Sequence, residues 1–149
     1  MDRKRVAAWR NGSPDAGESD CGGEAPTKQA EHLRRGAAAE ALAETYLSAC
    51  GLVVVARNVR CRGGEVDLIA RDRGCIVFVE VRLRSNSRFG GAAASITATK
   101  QQRVILAARY WLAGAGRRHA AQPCRFDAVL LDSLEPPRLE WIRGAFDAG

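Results

Sequence analysis

The sequence has no apolar stretch of the ~20 residues that a helix needs to cross a bilayer, so a membrane-spanning protein is not predicted. Its five cysteines are odd in number and include no CxxC pair, which argues against a disulfide framework and against a zinc site. The first residues contain no apolar run as long as that of a secretory signal. We therefore expect a cytoplasmic protein with reduced thiols and no membrane partner.

Lysine is also scarce, because Lys4, Lys28 and Lys100 are the only lysines among 23 basic residues. The net charge of +6 therefore comes almost entirely from arginine. A basic balance favours an anionic partner such as nucleic acid, although it does not specify a fold. Residues 1–30 are rich in Gly, Ser, Pro and Asp and have no hydrophobic period. We predict a disordered N-terminal arm over residues 1–30 and a single domain over residues 31–149.

The order of the predicted helices and strands indicates the fold class. Valine-rich runs predict strands, and apolar residues at helical spacing predict helices. The order α-β-β-β-α-β, with a final strand, favours an α/β fold with a mixed sheet flanked by helices. The predicted elements are a helix over 31–50, strands over 52–57, 66–70 and 75–81, a helix over about 98–114, a strand over 124–132 and a short edge strand within 136–142.

Two carboxylates, Asp67 and Glu80, lie within the strands predicted for the middle of the sheet. A two-residue turn at 73–74 would place Asp72 opposite Cys75, and the same register places Asp67 opposite Glu80, with Cβ atoms about 4.5–5.5 Å apart. A three-residue loop would instead put them on opposite faces. A shared proton, arginine partners or a divalent cation would each relieve the repulsion between the two charges. Oxygen ligands at this spacing suit Mg²⁺ or Mn²⁺.

Three further charged residues fall near this pair. Arg82 follows Glu80 by two residues on the same face, where it could hold a phosphate oxygen or neutralise the carboxylates. Lys100 lies on the inward face of the second helix, in its first turn, and is the only lysine of the predicted domain. Glu40 stands at the edge of the apolar arc of the first helix. A strand-end salt bridge at Asp67 and a solvated surface charge at Glu40 remain open alternatives.

Several arginines flank the same strands and could either bind a nucleic-acid backbone or form a solvated face. Asp127, in the segment RFDAV, is interpreted as a structural partner in an ion pair and not as a metal ligand. The arginines in question are Arg57, Arg60, Arg62, Arg84 and Arg88.

Five segments between residues 33 and 147 together resemble the YraN-type (UPF0102) family. This bacterial family is similar to the restriction-endonuclease-like PD-(D/E)xK nucleases and akin to archaeal Holliday-junction resolvases. The resemblance implies a restriction-endonuclease-like fold, a mixed β-sheet flanked by helices with an α-β-β-β-α-β core. The segments are GEVDLIARD, VFVEVRLRS, FGGAAASITATKQQR, CRFDAVLLD and EWIRGAF.

The resemblance also implies roles for individual residues. Asp67 and Glu80 match the two metal-binding acids, and Glu40 matches the additional helix acid of the resolvase-like branch, with Mg²⁺ or Mn²⁺ as the cofactor. Arg82 occupies the position of the motif lysine, and arginine stays protonated and cannot act as a base. Lys100 is the available candidate for a lysine supplied from another element. Asp67, Glu80, Arg82 and Lys100 are therefore the candidate catalytic residues.

These roles predict a Mg²⁺-dependent endonuclease that acts on DNA, including branched or structured DNA, and that could form a homodimer. Two alternatives remain open on the sequence. The first is a catalytically inactive nucleic-acid-binding module on a nuclease scaffold, which the arginine at position 82 favours. The second is an interaction protein that keeps the fold alone and has no salt-dependent affinity for DNA.

Overall fold

The computed structural model of the chain describes residues 3–6, 27–84 and 96–148. Arg88 and residues 7–26 of the predicted arm lie outside the described residues. A short 3-10 helix, Arg117–His119, follows the second α-helix. In chain order the elements are β1 (Arg3–Val6), α1 (Lys28–Ala49), β2 (Val53–Cys61), β3 (Gly64–Asp72), β4 (Cys75–Leu83), α2 (Ala98–Ala113), β5 (Cys124–Leu134) and β6 (Pro137–Phe146).

The strands form one mixed sheet in the order β1-β6-β5-β4-β3-β2. β4 and β5 pair in parallel, and every other neighbouring pair in this order is antiparallel. The connection between the two parallel strands carries α2, as a crossover requires. The structure thus confirms the predicted α/β fold, whose core is consistent with a restriction-endonuclease-like α-β-β-β-α-β order.

The two helices cover opposite faces of the sheet. Ile76 and Phe78 of β4 pack in the apolar cluster that includes α2, whereas Val77 and Val79 pack in the cluster that includes α1. This alternation follows from the two-residue period of a strand. β4 is therefore buried on both faces, which explains why its sequence is apolar almost throughout.

The hairpin of β3 and β4 has the register that the sequence predicted. Arg73 and Gly74 form the turn, and Asp72 lies opposite Cys75. The ladder continues to the pair formed by Leu68 and Val79. Asp67 comes one residue beyond that pair, so the regular hairpin ends where the candidate site begins.

Both helices begin at a threonine that caps the first turn. The Thr27 side chain accepts a hydrogen bond from the Ala30 N–H, so α1 starts at Lys28, three residues before the predicted start. Thr97 accepts from the Lys100 N–H in the same way and was one of the two predicted caps of α2. Within the described part of the chain, no helix is long and apolar enough to span a membrane.

The last strand differs from its prediction. We predicted a short edge strand within residues 136–142, but β6 runs from Pro137 to Phe146 and lies between β5 and β1. The prediction was wrong because β1, a strand the sequence did not predict, pairs along β6 from Arg3 opposite Ile142 to Val6 opposite Leu139. Residues 3–6 therefore form a strand within the region predicted to be an arm. The division of the chain at residue 30 stays a prediction.

Candidate functional site

A cavity of about 840 Å³ lies at the end of the sheet where β3 and β4 separate. Its walls come from one face of α1, the last residues of β4 and the first turn of α2. Acidic and basic side chains together make up most of this lining. The charged lining residues and the histidine are Lys28, Glu31, His32, Arg35, Glu40, Asp67, Glu80, Arg82, Arg84, Lys100 and Asp132.

In β3 the alternation of side chains between the two faces of the sheet is interrupted at Asp67. Val66 and Ile69 pack with the α2 cluster, while Leu68 and Ala70 pack with the α1 cluster, so the strict alternation of faces fails between Val66 and Leu68. The Asp67 carboxylate accepts a hydrogen bond of 2.8 Å from the Val81 N–H of β4. A side-chain oxygen therefore satisfies a main-chain donor of β4 just beyond the last cross-strand pair.

Asp67 and Glu80 line the same cavity, and Asp67 accepts a hydrogen bond from the main-chain N–H of the residue after Glu80, so the structure brings these two predicted residues together. Glu80 is only 2% exposed, and Asp67 is partly buried. Burial, and then the charge of Asp67, raise the pKa of Glu80 to about 7. Burial also raises the pKa of Asp67, against the opposing effect of the Val81 N–H. Both shifts favour the protonated form of these carboxyl groups relative to ordinary ones.

Lys100 and Arg82 line the same cavity as this pair. The Lys100 Nζ is 3.1 Å from the Glu80 Oε1, and its side chain is partly exposed to the cavity. The Thr97 cap fixes the turn of α2 that carries Lys100. Arg82 lines the cavity, and among the described residues it forms no ion pair. The structure thus brings together all four of the predicted catalytic residues.

Glu40 reaches the same cavity from α1, and a residue the sequence did not single out contacts it. Asn58 of β2 lies between residues that pair with Leu68 and Val66, which places it beside Asp67. Its φ of 49° falls in the left-handed region, which asparagine tolerates better than most residues. Burial and the charge of Asp67 raise the pKa of Glu40, and a hydrogen bond from the Asn58 side chain opposes that rise. An asparagine inside a valine-rich strand was the available signal.

The donor set fits a Mg²⁺ ion that completes its coordination with water and substrate. In residues 3–6, 27–84 and 96–148, no three His, Cys, Asp or Glu side chains are grouped closely enough to hold a metal ion by themselves. Mg²⁺ commonly takes only one or two carboxylates and fills its remaining positions with water and phosphate oxygens. Asp67 and Glu80 supply two such carboxylates in one cavity, and a cation would offset the repulsion between them. The role of Glu40 as a third ligand stays a prediction.

The predicted nucleic-acid-binding arginines of β2 and its following turn do not line the cavity. Arg57 donates from Nε to the Glu44 Oε2 at 2.7 Å. The Arg60 Nε is 3.9 Å from the Glu65 Oε2. Arg62 is exposed in the turn after β2. Two of these three arginines are therefore already beside acidic side chains, although the charge of Arg60 also opposes the rise in the pKa of Glu40.

Arg84, by contrast, lines the cavity beyond the end of β4. Its Nε lies 2.8 Å from the Asp132 Oδ1, and its Nη2 lies 3.9 Å from the buried Glu140. Arg88 lies outside the described residues. Of the five predicted arginines, Arg84 is the one that the structure brings to the cavity within the part it describes.

Sequence reasoning missed a basic face of α1 that also lines the cavity. Lys28, His32 and Arg35 share this face because they are separated by four and three residues. Lys28 fell within the predicted arm, and His32 and Arg35 were not singled out in the predicted helix. The spacing of these residues, continued by the buried Ala39 and Ala43, was the signal that could have revealed the face.

Asp127 is confirmed as a structural partner. It is fully buried and accepts hydrogen bonds from Arg125, from the Trp141 Nε1 at 3.0 Å and from the Gly144 N–H at 3.0 Å. Arg125 also lies 2.9 Å from Asp72 at the other end of the hairpin. This network joins β5 to β6 and leaves the Asp127 carboxylate fully occupied.

Comparison with known proteins gives consistent matches. Residues 39–131 match the model of the uncharacterised protein family UPF0102. A UPF0102 protein of Methylobacillus flagellatus is 56% identical over 110 residues, which cover 74% of this chain and 94% of that protein. A UPF0102 protein of Cupriavidus taiwanensis is 55% identical over 123 residues, covering 82% and 89%. One from Burkholderia pseudomallei strain 1710b is 47% identical over 149 residues, covering 99% and 97%.

Proposed function

The chain belongs to the UPF0102 family, and we propose that it is a Mg²⁺- or Mn²⁺-dependent endonuclease that acts on DNA, including branched or structured DNA. The observation that carries this proposal is that Asp67 and the buried Glu80 converge on one cavity, where Asp67 accepts from the Val81 N–H and Lys100 binds Glu80. The proposal is further supported by the restriction-endonuclease-like order of the strands and helices around that cavity.

The placement of the two carboxylates at one cavity has no evident benefit for folding. Like charges close together destabilise a sheet, and burial increases that cost. The ladder between β3 and β4 also ends at this point, and Asp67 bonds a main-chain donor in its place. Unfavourable local features, such as adjacent carboxylates and an interrupted ladder, are expected where a protein binds a ligand, because the ligand supplies the missing interactions. A divalent cation is the ligand that two adjacent carboxylates fit.

Asp67 and Glu80 would hold the metal ion, which when bound would make a water more acidic and offset charge on the scissile phosphate. Arg82 binds a phosphate oxygen with a permanently charged guanidinium, and it removes no proton. Lys100 orients the attacking water or the phosphate from its place beside Glu80. The chain's own residues thus bind, orient and neutralise, which are the main requirements of a phosphodiester hydrolase.

A catalytically inactive nucleic-acid-binding module is the second candidate, and the arginine at position 82 favours it. This alternative predicts DNA binding that persists without metal and survives replacement of Asp67. It needs the basic side chains of the cavity and none of the carboxylate chemistry. Formation of a homodimer stays a prediction under either function.

The test is cleavage of end-labelled branched, single-stranded and duplex DNA, and of a matching RNA, with Mg²⁺ or Mn²⁺. Asp67→Asn and Glu80→Gln keep the side-chain size and remove the charge. Glu44→Gln is the matched control, because Glu44 is a partly buried acid that lies outside the cavity. We expect cleavage by the wild type and by the control, and loss of cleavage in both site variants. Binding without cleavage under every metal condition would instead establish the binding module.

A further inference from the structure

The N-terminal half of α1 does not pack on the core. Every residue from 28 to 38 is exposed, and the buried residues of the helix begin at Ala39. Most of the stability of a protein helix comes from packing of one face, which this half lacks. The same half nevertheless forms a wall of the cavity. An exposed segment that is kept helical beside a cavity is placed to contact a ligand.

The side of this segment that faces the cavity is polar and basic. Lys28, His32 and Arg35 lie along it, together with Glu31 in the first turn. A glutamate in that turn interacts favourably with the helix dipole. In the described part of the chain, Lys28 and Arg35 form no ion pair with an acidic side chain. Their charges are available to an anion, unlike those of the arginines on β2.

Gly36 provides an independent observation on the same face. Glycine in the middle of a helix is unfavourable relative to alanine, and three alanines follow this one. Nothing lies within 4 Å of the position where a Cβ would stand, so packing inside the protein does not require a glycine. Gly36 also lines the cavity. A glycine in this position allows the backbone of a ligand to approach the helix closely.

We propose that the N-terminal half of α1 binds the sugar–phosphate backbone of the nucleic-acid strand that reaches the carboxylates. Lys28, His32 and Arg35 contact phosphates, and the strand passes close to Gly36. This inference rests on the proposed function and adds a substrate-binding surface to it. Lys28 and Glu40 are twelve residues apart, or about 18 Å along a helix. One strand of B-form DNA carries about five phosphates over that length.

The test is the affinity for branched DNA in the presence of EDTA, measured by fluorescence anisotropy as a function of salt. Arg35→Gln removes a charge that faces the cavity. Arg34→Gln removes the same charge from the neighbouring residue, which is exposed and does not line the cavity. Loss of one phosphate contact should weaken binding about five- to eightfold at 0.1 M salt and lower the slope of log affinity against log salt by about 0.7–0.9. Arg34→Gln should leave both quantities near their wild-type values.

Gly36→Ala gives a second, uncharged test. We expect this variant to raise the urea midpoint of unfolding, because alanine favours the helix, and yet to weaken DNA binding, because its methyl group meets the strand. A merely structural role for Gly36 would not separate these two results. DNA affinity equal to that of the wild type, or equal losses for Arg35→Gln and Arg34→Gln, would overturn the proposal.

These measurements separate this inference from the proposed function, because binding in EDTA requires no cleavage. If the carboxylate variants lose cleavage while Arg35→Gln binds DNA as Arg34→Gln does, the nuclease proposal is supported and the binding surface on α1 is refuted. If no metal supports cleavage but Arg35→Gln weakens DNA binding, the binding surface on α1 is supported and the nuclease proposal is refuted. Competition by polyglutamate as effective as that by DNA of equal charge would show that the ligand is not nucleic acid, and would also refute this inference.

Discussion

Replacing Glu80 with glutamine should stabilise the protein at alkaline pH more than at acid pH. The folded-state pKa of Glu80 is raised from 4.5 to about 7, first by burial and then by the charge of Asp67. A carboxyl group with a raised pKa does not oppose folding below its unfolded-state pKa. Its unfavourable contribution grows as the pH rises from about 4.5 to about 7, and is fully present above that range. Glutamine cannot ionise, so the variant should not show this loss of stability.

The size of the effect follows from the pKa difference. One pKa unit corresponds to about 1.4 kcal/mol, so the rise in the pKa of Glu80 corresponds to about 3 kcal/mol in the free energy of unfolding. Between pH 5 and pH 8 we expect about 2 kcal/mol or more of this difference to appear. Glu80→Gln also removes the ion pair with Lys100. This loss should change the free energy of unfolding less than the pKa effect does, because the lysine is partly exposed.

Urea denaturation of the wild type and Glu80→Gln at pH 5 and pH 8 measures this difference directly. Comparing the two pH values cancels any change in packing that the substitution makes. Glu44→Gln is the control, because its hydrogen bond with Arg57 lowers the pKa of Glu44 from 4.5, so the stability it contributes is almost fully present at pH 5 and the loss should be nearly equal at pH 5 and pH 8. Added Mg²⁺ should stabilise the wild type more than Glu80→Gln. An equal effect of Glu80→Gln at both pH values would refute the picture of a destabilising buried carboxylate pair.

Three other substitutions test structural features by urea denaturation. Asn58→Ala should be less stable than Asn58→Gly by about 1 kcal/mol, because glycine adopts the φ of 49° without strain. Equal stability of the two variants would contradict this conformational role. In both variants the pKa of Glu40, followed by NMR, should rise, because the Asn58 side chain is lost. Asp127→Ala should cost about 3–5 kcal/mol, because it leaves buried donors without an acceptor, and a loss below about 1 kcal/mol would show that the network contributes little. Gly64→Ala should cost about 1–3 kcal/mol, since the added Cβ would lie 2.6 Å from a main-chain oxygen of α2. Gly74→Ala is its control, with nothing within 4 Å, and equal losses in these two variants would contradict the close approach.

The hairpin and the second helix could be predicted because their signals are local. The turn at Arg73 and Gly74 fixes the register of two strands, and that register brings Asp67 near Glu80. The buried residues of α2 recur at helical spacing, so the inward position of Lys100 followed from its place in the sequence. Both features depend on residues that are close together in the chain.

The unpredicted features depend on contacts between distant segments. β6 is an interior strand because β1 pairs with it, and no local pattern in β6 reveals that partner. Asn58 matters because β2 pairs with β3 beside Asp67 and because its side chain opposes the rise in the pKa of Glu40 on α1, so its role depends on three separate elements. The basic face of α1 was missed because the helix extends beyond the residues that pack on the sheet. The period of the apolar residues predicts which side of a helix packs on the core. An exposed side that binds a ligand has no such apolar period.

The hydrogen bond from the Val81 N–H to Asp67 makes one amide a reporter of the site. In a regular sheet the exchange of an amide proton with solvent reports on strand separation. Here the acceptor is a carboxylate oxygen, so the exchange rate and the ¹⁵N chemical shift of Val81 depend on the ionisation and occupancy of Asp67. A titration with Mg²⁺ or with DNA, followed at this one amide by NMR, would show whether a ligand reaches the carboxylates.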